Sequence, residues 1–249
     1  MIKIFIACFF VFVTNFSYAQ ETVYSNDNKQ VKSSEAQQGM QNSEVTTYLK
    51  DMLKKAEMSG SFHCKELVAT TLSETEEPFN KFSDTQKSVI WVKGKFARME
   101  VESASNPTLV GSLMIIHPDW AYGYDKRSGF WLRMPMPSGE AKTTYSNRLI
   151  KLLDNPTVRI VGKETIEDKK ATVIEYQLGD NIAKTTCKEW IWNEKGVTLK
   201  SESNIKSDYT INAIREDYTD YVFEDIPDSL FEVPKDKVID NPLFQGTTN

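Results

Sequence analysis

Histidine and cysteine are nearly missing from this chain. Two His and three Cys in 249 residues leave little from which to build a metal centre or a nucleophile–base pair. His63 and His117 lie far apart in sequence. Cys64 follows His63 directly, and neighbours on a strand point to opposite faces, the wrong geometry for a nucleophile and its base. There is no Cys/His metal spacing, GxSxG elbow, HExxH helix, P-loop or strand-following GxGxxG. Glutamates are plentiful, but Glu100 and Glu102 alternate with apolar residues as a solvated face does, and no carboxylate pair stands out. No catalysis, metal or cofactor is expected. A Lys/Arg cluster is also missing. With 30 basic and 35 acidic residues and a net charge of −5, the chain is a poor partner for nucleic acid or an anionic membrane surface.

Long apolar runs are absent too, except at the N-terminus. Lys3, the apolar run from Ile4 to Val13 and the small-x-small ending Ser17-Tyr18-Ala19 form the three parts of a secretory signal. A bilayer span needs about 20 apolar residues, so this run is read as a signal cleaved after Ala19 and not as an anchor. Cys8 leaves too short an apolar stretch before it for a lipoprotein signal. Loss of residues 1–19, with Lys3 as their one charge, takes the net charge from −5 to −6. The exported chain keeps Cys64 and Cys187, and export permits a disulfide. Two separately buried thiols fit the sequence equally, since spacing supplies no Cα distance.

Residues 20–42 are rich in Gln, Asn, Ser and Glu and read as a flexible polar leader. Val45, Tyr48, Leu49, Met52, Leu53 and Ala56 then recur at helical spacing and predict a helix over 43–58, with Ser43 as cap and Gly60 just past its end. From residue 61 the period changes to two. Strands are predicted at 61–71, 88–92, 96–102, 109–116, 120–124 and 130–134, then a short helix over 143–153. Further strands follow at 157–166, 171–178, 184–192, 197–205, 209–217 and 218–223, and a one-turn clasp at 226–231. Short connections imply antiparallel meanders, and so many strands curl toward a barrel. Residues 43–240 read as one domain and 241–249 as a tail.

Alternation fails at Leu113-Met114-Ile115-Ile116, Phe130-Trp131-Leu132 and Trp190-Ile191-Trp192, so both faces of those strands are expected to meet something apolar. A sheet curled round the 43–58 helix, with the second helix as partial lid, satisfies this. The aromatic and methionine load is heavy: Trp91, Met99, Met114, Trp120, Tyr122, Tyr124, Trp131, Met134, Trp190 and Trp192. Any one of these is ordinary core. Together, on a concave sheet, they are candidates to line an apolar cavity, for which the methionines would be an adaptable surface.

The segments WVKGKFARME (91–100), NPTVRIVGKE (155–164), EWIW (189–192) with GVTLKSE (196–202), and DIPDSLF (225–231), in that order, resemble the LolA-like outer-membrane lipoprotein-sorting proteins of Gram-negative bacteria. The resemblance spans roughly residues 43–240. It implies an unclosed, mainly antiparallel β-barrel with helical plug and lid, and a periplasmic, non-enzymatic carrier of the acyl chains of lipoproteins or other lipids. It also implies membrane-bound donor and acceptor proteins as partners. Arg98 is the nearest match to the family arginine that holds the lid; a surface arginine beside Glu100 and Glu102 is its plainer reading. The Met134-Pro135-Met136-Pro137 segment and the aromatic run 120–131 depart from the family pattern, which leaves the cargo open between lipoprotein, phospholipid and other amphiphiles. A non-catalytic envelope sensor or protein-binding module on the same scaffold is the alternative.

Overall fold

The strand rhythm that starts after Gly60 builds one sheet. The computed structural model describes residues 35–74, 81–126, 128–136, 146–179, 184–206 and 210–241; the expected signal and most of the expected leader lie outside them, as do the loop at 75–80, Pro137 and the tail from 242. Helix α1 spans Glu35–Met58, eight residues longer at its start than predicted. Its first turns, EAQQGMQN, lack the apolar period but are made largely of good helix formers, so apolar periodicity alone sets the start too late. Ser43 is consequently interior and not a cap. The other end is as expected: Ser59 N donates to Lys55 O and Gly60, at φ +70°, closes the turn.

Twelve strands follow: β1 Phe62–Glu74, β2 Lys81–Lys93, β3 Phe96–Ala104, β4 Leu113–Ile116, β5 Trp120–Asp125, β6 Phe130–Pro135, β7 Arg159–Ile166, β8 Lys169–Gly179, β9 Lys184–Trp192, β10 Thr198–Lys206, β11 Thr210–Phe223 and β12 Val238–Asp240. Helix α2, Ser146–Leu153, sits between β6 and β7. The sheet order is β12-β6-β5-β4-β3-β2-β1-β11-β10-β9-β8-β7, antiparallel except for β12 beside β6. The edges β7 and β12 are not paired with one another, so the sheet is unclosed. Two boundaries differ from the sequence pattern. The stretch 109–116 divides into a 3₁₀ turn, Pro107–Leu109, and β4, because Gly111 at φ +70° breaks the extended run. The two strands expected over 209–223 are one, β11, kinked by a bulge with Asp220 at φ +53°.

Pairing fixes two faces. Met99, Met114, Gly123 and Leu132 are lateral neighbours on one face, which through Ile90, Cys64 and Glu66 continues to Val68, Glu216, Ser201, Glu189 and Ile174. This inner face carries α1. Val45, Leu49 and Met52 of α1, Leu149 and Leu152 of α2, and Ile174, Tyr176, Cys187 and Ile191 of the sheet form one buried cluster, so α1 plugs the β8–β9 end. Residues 224–240 instead cross the outer face as a strap. Ile226 and Phe231 are 1 % and 4 % exposed and pack with Ile115, Trp131, Trp91, Leu113, Tyr122 and Tyr124. Burying each of those two side chains is worth about 1.5–3 kcal/mol. The consecutive apolar pairs in β4 and β6 are thereby accounted for, since each of these strands is covered on both sides.

No disulfide joins Cys64 and Cys187; both are buried thiols. They sit on β1 and β9, with β11 and β10 between. Three strand spacings are about 14 Å, twice the reach of a disulfide.

Candidate functional site

The ten residues expected to line one cavity are divided by the pleat. Met99, Met114 and Met134 face inward. Trp91, Trp120, Tyr122, Tyr124 and Trp131 face outward, since Tyr122 is opposite Ile115 and Tyr124 opposite Trp131. All of these outer ones except Trp120 lie in the cluster beneath the strap. Trp120 stacks under the Arg133 guanidinium at 4.3 Å. Trp190 is also outward, in a cluster with Ala171, Val173 and Leu199; its Nε1–H donates to Glu164 at 2.9 Å. Trp192, at the end of β9, touches both that cluster and Tyr221 and Phe223 of the inner one.

Arg98 is outward as well, because Ala97, Met99 and Val101 take the inner positions of β3. Its Nη1 donates to the Leu230 carbonyl at 3.1 Å and its Nη2 to Glu100 at 3.4 Å, with the guanidinium over the Trp91 ring. It therefore reaches the strap, on the face opposite the helices. His117 Nε2–H donates to the Phe231 carbonyl at 2.7 Å, and Lys93 donates to the Ile226 carbonyl at 2.6 Å while pairing with Asp228 and Asp225. Those two carboxylates raise the Lys93 ammonium above its ordinary range, Asp228 first.

The inward Met99 and Met114 belong to a second apolar surface of the inner face. Phe62, Cys64, Ile90, Val92, Ala97, Met114, Ile116 and Val197 form it, with Met99, Met136, Tyr218, Tyr221 and Phe223 packed beside them. None of these residues belongs to α1 or α2, whose cluster is centred on β8 and β9. Small residues recur here: Ala97, Ala121 and Gly123. A Cβ built on Gly123 would meet, among the described residues, nothing nearer than Met134 Cε at 3.9 Å. The alternation of Ala97, Met99 and Val101 along β3 was visible in the sequence. The joining of β3, β4 and β6 by register was not.

Between this surface and the plug lies a polar row. Glu66, Glu189 and Glu216 are 2 %, 0 % and 7 % exposed, and Ser88, Ser201, Ser203, Thr172 and Thr198 are buried with them. Tyr176 Oη–H donates to Glu189 at 2.6 Å, Thr198 to the same carboxylate at 3.3 Å, and Tyr218 to Glu216 at 3.2 Å. Burial, aided by the Glu66 charge, pushes the Cys64 thiol far up, which makes it inert. Burial likewise pushes Tyr48 of α1 to about 12; its hydroxyl donates to Asn193 Oδ1 at 3.3 Å. One cue existed: Glu66 stands at an inner position between Cys64 and Val68. Among the described residues no three His, Cys, Asp or Glu side chains could hold a metal ion together.

One cleft lies at the helices. Val45, Thr46 and Leu49 of α1, Leu152 and Leu153 of α2, and Asp154, Asn155, Pro156 and Val158 line an open cleft of about 200 Å³.

No protein-family model matches the sequence, and no curated protein does. Several solved structures are similar. One is an uncharacterized conserved protein from Thermus thermophilus, 11 % identical over 77 % of this chain and 98 % of that one, with a TM-score of 0.47. Another is the Mycobacterium tuberculosis lipoprotein LppX, at 11 % identity over 74 % and 98 %, TM-score 0.43. A third is a LolA superfamily protein from Nitrosomonas europaea, at 13 % identity over 74 % and 97 %, TM-score 0.37.

Proposed function

We propose that the chain is an exported, non-catalytic carrier that shelters an acyl chain of a lipid or a lipid-modified protein on the inner face of β2–β6. The observation that carries this reading is the apolar inner surface that holds Met99, Met114 and Met136, with the small Ala97 in it and Ala121 and Gly123 beside it on the same face, outside the cluster that α1 and α2 form. Methionine adapts to irregular apolar shapes at little cost. The neighbouring row of hydroxyls and carboxylates supplies the polar side that an amphiphile needs. Each CH₂ taken from water is worth about 0.8 kcal/mol, so sheltering some eight carbons gives about 6 kcal/mol before ordering costs. That is enough for reversible holding without chemistry. Export rests on residues 1–19, and membrane-bound donor and acceptor proteins are part of the same reading through the family resemblance.

Native mass spectrometry of the protein purified from the cell envelope, with transfer of a labelled phospholipid between vesicles, tests this. Co-purified lipid, and transfer that Met114→Asp or Ala121→Trp abolishes while the fold persists by circular dichroism, is the expected result. A lipid-free protein that moves nothing between vesicles but binds an envelope protein would replace the carrier with the sensor reading.

A further inference from the structure

The inner apolar face runs out to the β12 edge of the sheet and is open there. Ile239 of β12 is opposite Leu132 of β6, so it faces inward with Leu132, and it is 42 % exposed. β12 runs parallel to β6, with Val238 opposite Trp131 and Asp240 opposite Arg133. Asn241 extends this pairing by one step, its N–H donating to the Arg133 carbonyl at 3.0 Å. The next residue in the sequence is Pro242, and β6 ends at Pro135. Neither proline has an N–H to give, so the ladder stops here. The direction of β12 aims whatever follows at the end of the sheet where Met136 packs with the cluster of Phe62, Ala97, Met114 and Ile116.

We propose that residues 242–249, which lie outside the described residues, are the resident occupant of this surface: Leu243 and Phe244 fold over the β12 edge beside Met136, and a cargo chain must displace them. Direction, reach and chemistry choose this occupant. The register of β12 on β6 brings Leu243 level with Met136, on the inward side that Ile239 and Leu132 share. Eight residues span up to about 26 Å, and the four strand spacings from β12 to β3 are about 19 Å, so the segment is long enough to cross to Met99. In a chain that is 26 % charged, the segment PLFQGTTN carries no charged side chain and opens on adjacent Leu and Phe. Those two gain by leaving water, and methionines adapt to a branched chain or a ring alike. A short tether gives them a local concentration of about millimolar, so two side chains hold the surface and a longer apolar chain takes it from them. The displacement rests on the carrier reading; the contact itself does not.

The test compares the full exported chain with Leu243→Ser/Phe244→Ser, and with a chain stopped after Asn241, by ¹³C-methyl NMR of the methionines in delipidated protein. Both variants should move the Met99, Met114 and Met136 resonances and leave Met52, in the plug, where it is. The differences should be the same at every protein concentration. Titration with 1-octanol, an uncharged single-chain probe, should then show both variants binding at least threefold more tightly than the parent. Unmoved Met99, Met114 and Met136 resonances would overturn the contact. Differences that grow with concentration would overturn it too, by assigning the surface to the segment of a second copy. Moved resonances with equal octanol affinity would overturn the displacement. Moved resonances with no octanol binding to any of the chains would overturn the carrier reading, and the displacement with it, while bearing out the contact.

Discussion

At Gly196 the backbone of a turn and the backbone of a helix meet with no space for a side chain. The residue has φ +72°, and an added Cβ would lie 2.1 Å from Met52 O and 2.8 Å from Ala56 N. Gly196→Ala therefore faces the left-handed penalty and a clash with helix backbone, for a loss of about 2–5 kcal/mol. Gly60→Ala, at φ +70° with nothing within 4 Å, faces only the first and should lose about 1–2 kcal/mol. Urea midpoints at an unchanged slope separate the two. Equal losses would mean that α1 is not packed on the turn. The sequence marked both glycines as turn residues, but only tertiary contact distinguishes them. Glu175 is a second residue-scale case. It pairs across strands with Arg159 and lies 3.6 Å from Lys188. The Arg159 hydrogen bond, then the charges, hold its carboxyl below the usual range. The folded value is thus below the unfolded one, so the pair's contribution is present at neutral pH and is lost as pH falls through the folded value. Glu175→Gln should be less stable than the parent at pH 7, with the two converging in acid. A gap that persists at pH 2 would mean that the residue acts by packing and not by charge.

The strap is the element that the sequence half disclosed. Runs such as LMII and FWL said that these strands are covered twice, and the 226–231 clasp was read as a helical turn, which it is at Asp228–Phe231. That the clasp is what covers the outer aromatic face was not legible, because nothing local records which face a distant segment crosses. The same gap divided the candidate lining residues: alternation told which aromatics share a face, but not which face meets α1. Phe231, 4 % exposed against Trp131 and Ile115, anchors the strap, and Phe231→Ala should cost about 3–5 kcal/mol. Arg98 tests the element differently. Its bond to the Leu230 carbonyl is charge-assisted, worth about 1.5–3 kcal/mol. Arg98→Met should therefore speed amide exchange within 226–233 roughly tenfold or more while leaving α2 unchanged. If α2 exchanges faster instead, Arg98 acts on the helical side, as the family resemblance implies.

At the scale of the whole molecule, an unclosed sheet must guard two edges. Sequence periodicity gave the meanders, and so most neighbours, but not the place of β11 beside β1 or of β12 beside β6, both made by residues far apart in the chain. The two edges differ in their protection. β12 is three residues long, follows Pro234 and ends in Asp240, which pairs with Arg133 at 2.7 Å; so short a strand offers little to pair with. β7 is eight residues long with an exposed, alternating surface. It is guarded by a bulge between Ile160 and Gly162 and by the exposed Lys163 and Glu164, the devices that keep a free edge from recruiting another strand. Val161 is already 43 % exposed there, so the charges have an apolar neighbour to offset. Lys163→Ile combined with Thr165→Ile changes only exposed side chains and removes that protection. Light scattering on a concentration series should show the double variant shifting to a larger species than the parent, with unchanged far-ultraviolet dichroism at low concentration. If the variant keeps the parent's mass at every concentration, β7 is covered in solution by something other than its own charges, and the two edges are not the exposed margins of the sheet.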